Sequence, residues 1–315
     1  MMETVPSVVL LIETVCKDTP RAVTPIMGKG SNNMVFAVDM HPSCQWIVRM
    51  TPAEVYCHVY HKEERAMVLA RAAGVPVPEV RHVGYGIIPF SYSILEFLPG
   101  QLATEYDGPL EQVWEQVGRY AAMINAIELE RYGFNIDDLD PAERLHQDWR
   151  TFLDACAQRF DLDLMTRHGV IRDDDAHSFK ERFECLGELV VKPTLVHGDL
   201  LLRNILVDAG GQITGLLDWG NAASLVAPYF EFAQLFLGME TPEQAQFQRN
   251  YLQSFLRGYG LSRQAYADVE RDIVTVQLAY LLALATRCLD IQLPDVDTQA
   301  LHQNIEELLH ALQVD

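Results

Sequence analysis

Residues 194–220, TLVHGDLLLRNILVDAGGQITGLLDWG, decide how the rest of the chain is read. Residues 205–207 are a short apolar run, and 213–217 are a second run rich in strand formers. Between them, Asp208-Ala209-Gly210-Gly211 is a turn cluster whose glycines accept positive φ. The spacing predicts a β-hairpin. Folding it at the turn brings its open ends together, with Asn204 at one and Asp218 at the other. An amide oxygen and a carboxylate then converge on one small space, and hard oxygen donors suit Mg²⁺. Asp199 lies at the mouth of the same space.

Asp199 and Asn204 stand in the order D-x-x-x-x-N. In the catalytic loop of protein kinases that spacing lets the Asp orient or deprotonate a hydroxyl while the Asn holds magnesium. His197 reads as a loop histidine that hydrogen-bonds backbone, not as a base. The run H-G-D-x-x-x-x-N, followed by D-W beyond a hairpin, resembles the signature of the aminoglycoside phosphotransferase family, and the pattern is most similar to the hygromycin B phosphotransferases. The resemblance implies an α+β, bilobal protein-kinase-like fold, with a small β-rich N-lobe over 1–98 and a larger, mainly helical C-lobe over 99–315. It implies Asp199 as catalytic aspartate and acceptor contact, Asn204 and Asp218 as metal ligands, Mg²⁺ as cofactor, and ATP or GTP as co-substrate.

Taken in order, residues 3–15 predict an opening amphipathic segment and 22–27 a first strand. Gly28-Lys29-Gly30-Ser31-Asn32-Asn33 then turns into a second strand over 34–39. A glycine turn there brings backbone N–H groups near phosphates, so Gly28, Gly30, Ser31 and Asn32 are nucleotide-binding candidates. No G-K-[ST] follows, so this is not a Walker A loop. The third strand, residues 45–50, offers Arg49 as the cation for nucleotide phosphates; the family more often has Lys, and the hygromycin and macrolide enzymes are similar in having Arg. A helix over 53–73 carries Glu63 and Glu64, either of which is in place to pair with Arg49, Glu63 fitting better by count from Pro76. Pro76 and Pro78 force extended chain into a fourth strand. Residues 91–98 form a strand ended by Pro99-Gly100, and the resemblance makes Glu96, Phe97 and Leu98 the adenine hinge.

Helices are expected over 110–127, 142–160, 174–190, from 227, and over 242–259, 262–289 and 297–312. In the family an Asp near Glu231 ties its helix to the catalytic loop. Glu231 is therefore read first as structural, and is also carried as a substrate-binding candidate.

Composition bounds the partners. The 315 residues carry a formal net charge of −20. A phosphate backbone needs a basic footprint, which argues against nucleic acid. An acidic surface either favours and steers a cationic small molecule or simply keeps the protein soluble, and the charge alone does not choose between them. Asp173, Asp174, Asp175 and Asp290 either face such a molecule or cap helices. No apolar run approaches a membrane span, so no membrane partner is expected. Six scattered cysteines without a C-x-x-C pair read as reduced thiols, hence a cytoplasmic protein, taken as a monomer. The acceptor reading is an aminoglycoside such as hygromycin B. The alternatives are a choline, homoserine or methylthioribose kinase-like activity, a macrolide phosphotransferase, or a non-catalytic nucleotide-binding protein.

Overall fold

A computed structural model describes residues 4–26, 33–41, 44–52, 57–140, 143–239, 241–291 and 298–313. The candidate loop residues Gly28, Gly30, Ser31 and Asn32 lie outside the described residues.

The amino-terminal part opens on helix α1 (Val5–Cys16) and strands β1 (Ala22–Ile26), β2 (Met34–His41) and β3 (Cys44–Thr51). Helix α2 (Cys57–Ala72) follows, then β4 (Val80–Gly84) and β5 (Ser91–Glu96). The five strands form one antiparallel sheet in the order β1-β2-β3-β5-β4. Side chains alternate across a strand, so Phe36, Val38, Val48, Met50 and Ile94 share one face. They form a core there with Val8, Leu11 and Ile12 of α1. Arg49, paired with Val35 and Ser93, is thereby sent to the opposite face. That face looks toward α2, whose Ala66, Met67 and Ala70 belong to the larger core of the second part.

Strand β6 (Gln101–Leu102) starts the second part, followed by helices α3 (Leu110–Asn125), α4 (Trp149–Ala157), α5 (Leu162–Arg167) and α6 (Asp173–Leu186). Strands β7 (Thr194–Val196), β8 (Ile205–Val207), β9 (Ile213–Leu216) and β10 (Ala223–Leu225) come next. Helices α7 (Tyr229–Leu237), α8 (Thr241–Asn250), α9 (Leu252–Tyr259), α10 (Arg263–Ile291) and α11 (Thr298–Gln313) finish it. The expected α+β division into a smaller β-rich and a larger helical part is the one the chain adopts. α3 and α9 cross in near backbone contact: a Cβ on Gly258 would lie 1.8 Å from the Glu115 carbonyl.

Three expectations change. The helix predicted over 142–160 begins only at Trp149. Asp148 caps it, accepting from the Thr151 N–H at 2.8 Å, and His146 before it pairs its backbone with Tyr132. The helix predicted over 242–259 is two helices, α8 and α9, parted at Tyr251. α10 is long and apolar enough to cross a membrane by length and composition, contrary to the sequence reading. It packs on α6, α7 and α11, with half of its most apolar window buried, as a core helix.

Candidate active site

The predicted hairpin forms as β8 and β9. Asp208 organises its turn: its Oδ1 accepts from Gly210 N–H at 2.8 Å and Gln212 N–H at 2.9 Å, and Gly211 takes φ +76°. β6 adds to the outer edge of β8, and the Thr214 hydroxyl donates to the Pro99 carbonyl at 2.7 Å. The crossing between the two parts is thus stitched to the hairpin. Gly100, at φ +141°, fits there because a Cβ would lie 2.8 Å from the Val207 carbonyl.

The open ends of the hairpin meet through a ring of hydrogen bonds. Leu217 N–H donates to the Asn204 carbonyl at 2.8 Å. His197 Nδ1 accepts from Asp199 N–H at 3.2 Å, so its proton sits on Nε2, which donates to the Leu217 carbonyl at 3.2 Å. Asn204 Nδ2 donates to both the carbonyl (3.0 Å) and Oδ2 (2.8 Å) of Asp199. That orientation leaves the amide oxygen of Asn204 to offer a cation. Asp218 holds φ +59°, a left-handed conformation uncommon for an L-residue, and the residue is exposed. A point one Cβ off Gly220 lies 3.4 Å from Asp218 Oδ1 and 3.5 Å from Glu63 Oε1, so those two carboxylates share a neighbourhood. The structure therefore brings Asp199, Asn204 and Asp218 together. They form no cluster of three His, Cys, Asp or Glu among the described residues. Two hard oxygens of this kind fit Mg²⁺, which takes few protein ligands and completes its shell with water and phosphate.

Burial is the largest influence on Asp199 and raises its pKa, while the Arg203 charge and the Asn204 hydrogen bond pull it back. His197 is fully buried, which lowers its pKa to about 4. The imidazole is neutral and structural, packed 4.4 Å from the Trp219 ring.

Arg49 and Glu63 join the sheet to α2 through a two-pronged pair, Nη1–Oε2 at 2.5 Å and Nη2–Oε1 at 3.2 Å. Glu64 faces outward to His61 instead. Burial alone would lower the Arg49 pKa, but the Glu63 carboxylate outweighs it and the guanidinium sits above its ordinary value. At the hinge, the Glu96 carboxylate is occupied by Glu79 N–H at 3.0 Å and by Arg71 at 3.4 Å. Phe97 is exposed, and Leu98 packs where a Cβ on Gly215 would stand.

Glu231 is corrected as a substrate contact. It is 1% exposed beneath the loop backbone. Its oxygens accept from His197 N–H (2.8 Å), Gly198 N–H (3.1 Å) and Asn125 Nδ2 (3.0 Å), which leaves it facing the loop and not a cleft. Asp173, Asp174 and Asp175 occupy the first turn of α6, where carboxylates suit the helix dipole, and Asp175 is paired with Arg172. The side chain of Asp290 lies outside the described residues.

Two features escaped the sequence reading. Arg203, inside the variable positions of the motif, reaches Asp199 Oδ1 at 2.9 Å. On α2, His58 meets Asp140 at 3.3 Å, and Lys62, its pKa lowered by burial, faces Asp137, Asp140 and Glu143. The HKEER run is of mixed charge and does not announce a partner, and the acidic loop that Lys62 faces is distant in sequence.

The sheet with its paired arginine, the stitched hinge and the loop that gathers Asp, Asn and Asp belong to a phosphotransferase of kinase-like fold. A model described as "APH: Phosphotransferase enzyme family" matches residues 22–269, and the chain belongs to that family. No curated protein sequence matches it. Among solved structures, it is similar to a thermostable mutant of aminoglycoside phosphotransferase APH(4)-Ia in ternary complex with AMP-PNP and hygromycin B. That likeness has a TM-score of 0.68 at 19% identity, over 99% of this chain and 100% of the other. A putative fructosamine-3-kinase from Haemophilus somnus gives a TM-score of 0.62 at 15% identity, over 98% and 97% of the two chains. Spectinomycin phosphotransferase APH(9)-Ia, in complex with ADP and spectinomycin, gives 0.56 at 12% identity, over 98% and 97%. At these identities the likeness is one of fold.

Proposed function

We propose that the chain moves the γ-phosphoryl group of ATP or GTP to a hydroxyl of a small molecule, with Asp199 receiving the acceptor and Asn204 and Asp218 holding Mg²⁺. The observation that carries this reading is the hydrogen-bonded ring of His197, Asp199, Asn204 and Leu217, which ties Asn204 and the residue before Asp218 to the loop that holds the recessed Asp199 carboxylate. Mg²⁺, when bound, neutralises charge on the phosphate oxygens. Arg49, aimed by Glu63, grips the same phosphates through its remaining N–H groups. Asp199 orients the hydroxyl and takes its proton as the oxygen–phosphorus bond forms and the nucleoside diphosphate leaves in line. Most of the acceleration comes from placement and charge stabilisation.

An aminoglycoside is the leading acceptor, with hygromycin B the first to try. The likeness to the hygromycin B complex and the net charge of −20 support it. A small-metabolite kinase is the second reading, supported by the likeness to the putative fructosamine-3-kinases. A cytoplasmic setting, with ATP at hand and thiols reduced, suits six scattered cysteines without a C-x-x-C pair. The test is ADP release across a panel of antibiotics and hydroxylated metabolites, with ATP and with GTP. Acceptor-dependent release supports the reading; no Mg-nucleotide turnover with any acceptor, water included, contradicts it.

A further inference from the structure

Arg203 sits in the tight turn Leu202–Asn204, immediately before the second motif residue. Its Nη2 donates to Asp199 Oδ1 at 2.9 Å, while Asn204 Nδ2 holds Oδ2 at 2.8 Å. The carboxylate is therefore gripped at both oxygens from two directions. The torsion that sets a carboxylate plane is broad, so one anchor alone leaves that plane free to turn. Each oxygen keeps a lone pair for an incoming hydroxyl.

The grip has a third point. Arg203 Nη1 donates to the Gly238 carbonyl, just past the end of α7, at 3.3 Å. A cation there is favoured by the helix dipole. Gly238 is pressed against the loop, since a Cβ on it would lie 2.6 Å from Leu201 Cδ1. The far end of the guanidinium thus rests on a fixed support. Arg203 is 54% exposed and Asp199 15%, so the arginine stands on the open side of the recessed base.

We propose that Arg203 is a positioning residue for phosphoryl transfer, locking the carboxylate plane of Asp199 against the end of α7. This rests on the reading of Asp199 as the group that receives the acceptor hydroxyl. A half-exposed ion pair adds little to stability, so the fold survives its removal.

The experiment follows Mg-ATP turnover with water as the acceptor, in wild type, Arg203→Met, Arg203→Lys, Asp199→Asn and the double variant Asp199→Asn/Arg203→Met. Affinity for Mg-AMP-PNP is measured beside it. Arg203→Met is expected to lower kcat roughly 10- to 100-fold, the scale of a misplaced reacting group, with nucleotide affinity held within about twofold. Arg203→Lys and added guanidinium ion recover part of the loss. In the Asp199→Asn background the same change lowers kcat less than about twofold, because residues that act as a unit are not additive. An equal factor in both backgrounds overturns the proposal, as does an unchanged kcat in Arg203→Met. Full turnover by Asp199→Asn removes the underlying reading instead, so the two failures are told apart.

Discussion

The backbone N–H of Asp199 donates to Nδ1 of His197, and this contact decides where the imidazole proton resides. It lies on Nε2, facing the Leu217 carbonyl, in a fully buried ring. The folded pKa of about 4 is below the ordinary value. The unfolded chain therefore binds more protons in the window between the two values. The His197 contribution to stability is present above about pH 6.5 and is lost as pH falls toward 4. Proton NMR of the His197 ring should show no titration from pH 8 to about 5. A midpoint near the ordinary histidine value would contradict the buried neutral tautomer.

Removing the base tests its role without removing the nucleotide site. Asp199→Ala should lower kcat by roughly 10²-fold or more while Mg-AMP-PNP still binds. Steady-state kinetics on the first acceptor that releases ADP, together with calorimetry, make the measurement. Unchanged turnover rules the assignment out.

In the Arg49–Glu63 pair the glutamate is buried and the arginine mostly so, with side chains 3% and 14% exposed. Glu63→Ala strands a guanidinium in a poorly solvated site. Breaking such a pair from one side costs about 3–5 kcal/mol, read as a fall in unfolding free energy in urea. The KM for ATP should rise as well, because Arg49 then loses the carboxylate that fixes both prongs of its guanidinium. Glu64→Ala, outside the pair, is the control and should change neither.

Gly198, between His197 and Asp199, holds φ +77°. A Cβ there would stand 2.5 Å from Gln234 Oε1 and 2.7 Å from the Asn221 carbonyl. The left-handed conformation alone costs an L-residue about 1–2 kcal/mol, and the backbone contact adds to it. Gly198→Ala should lower the thermal midpoint and, by displacing Asp199, lower kcat more than KM. A variant with native stability and native kcat would show that the loop tolerates a shift.

The hairpin and the residues at its ends were legible because they are set by local turn chemistry and short apolar runs. Arg49 was legible from strand position, and the count from Pro76 favoured Glu63 over Glu64, a preference the helix phase against β3 decides. The late start of α4 depends on the Asp148 cap and on a backbone pairing between His146 and Tyr132, which no local pattern announces. The break between α8 and α9 at Tyr251 has no glycine or proline to mark it. Arg203 was hidden because it fills a variable position of the motif, and its partner Gly238 is 35 residues away. Glu231 kept two roles open until burial chose one.

The central claim is that Asn204 and Asp218 hold Mg²⁺ for the nucleotide beside Asp199. Isothermal calorimetry of AMP-PNP, with and without Mg²⁺, on wild type, Asn204→Ala and Asp218→Ala tests it most directly. Mg²⁺ should tighten wild-type binding by about tenfold or more, equal to 1.4 kcal/mol, and either variant should abolish most of this gain. Equal Mg²⁺ enhancement in all three proteins would contradict it.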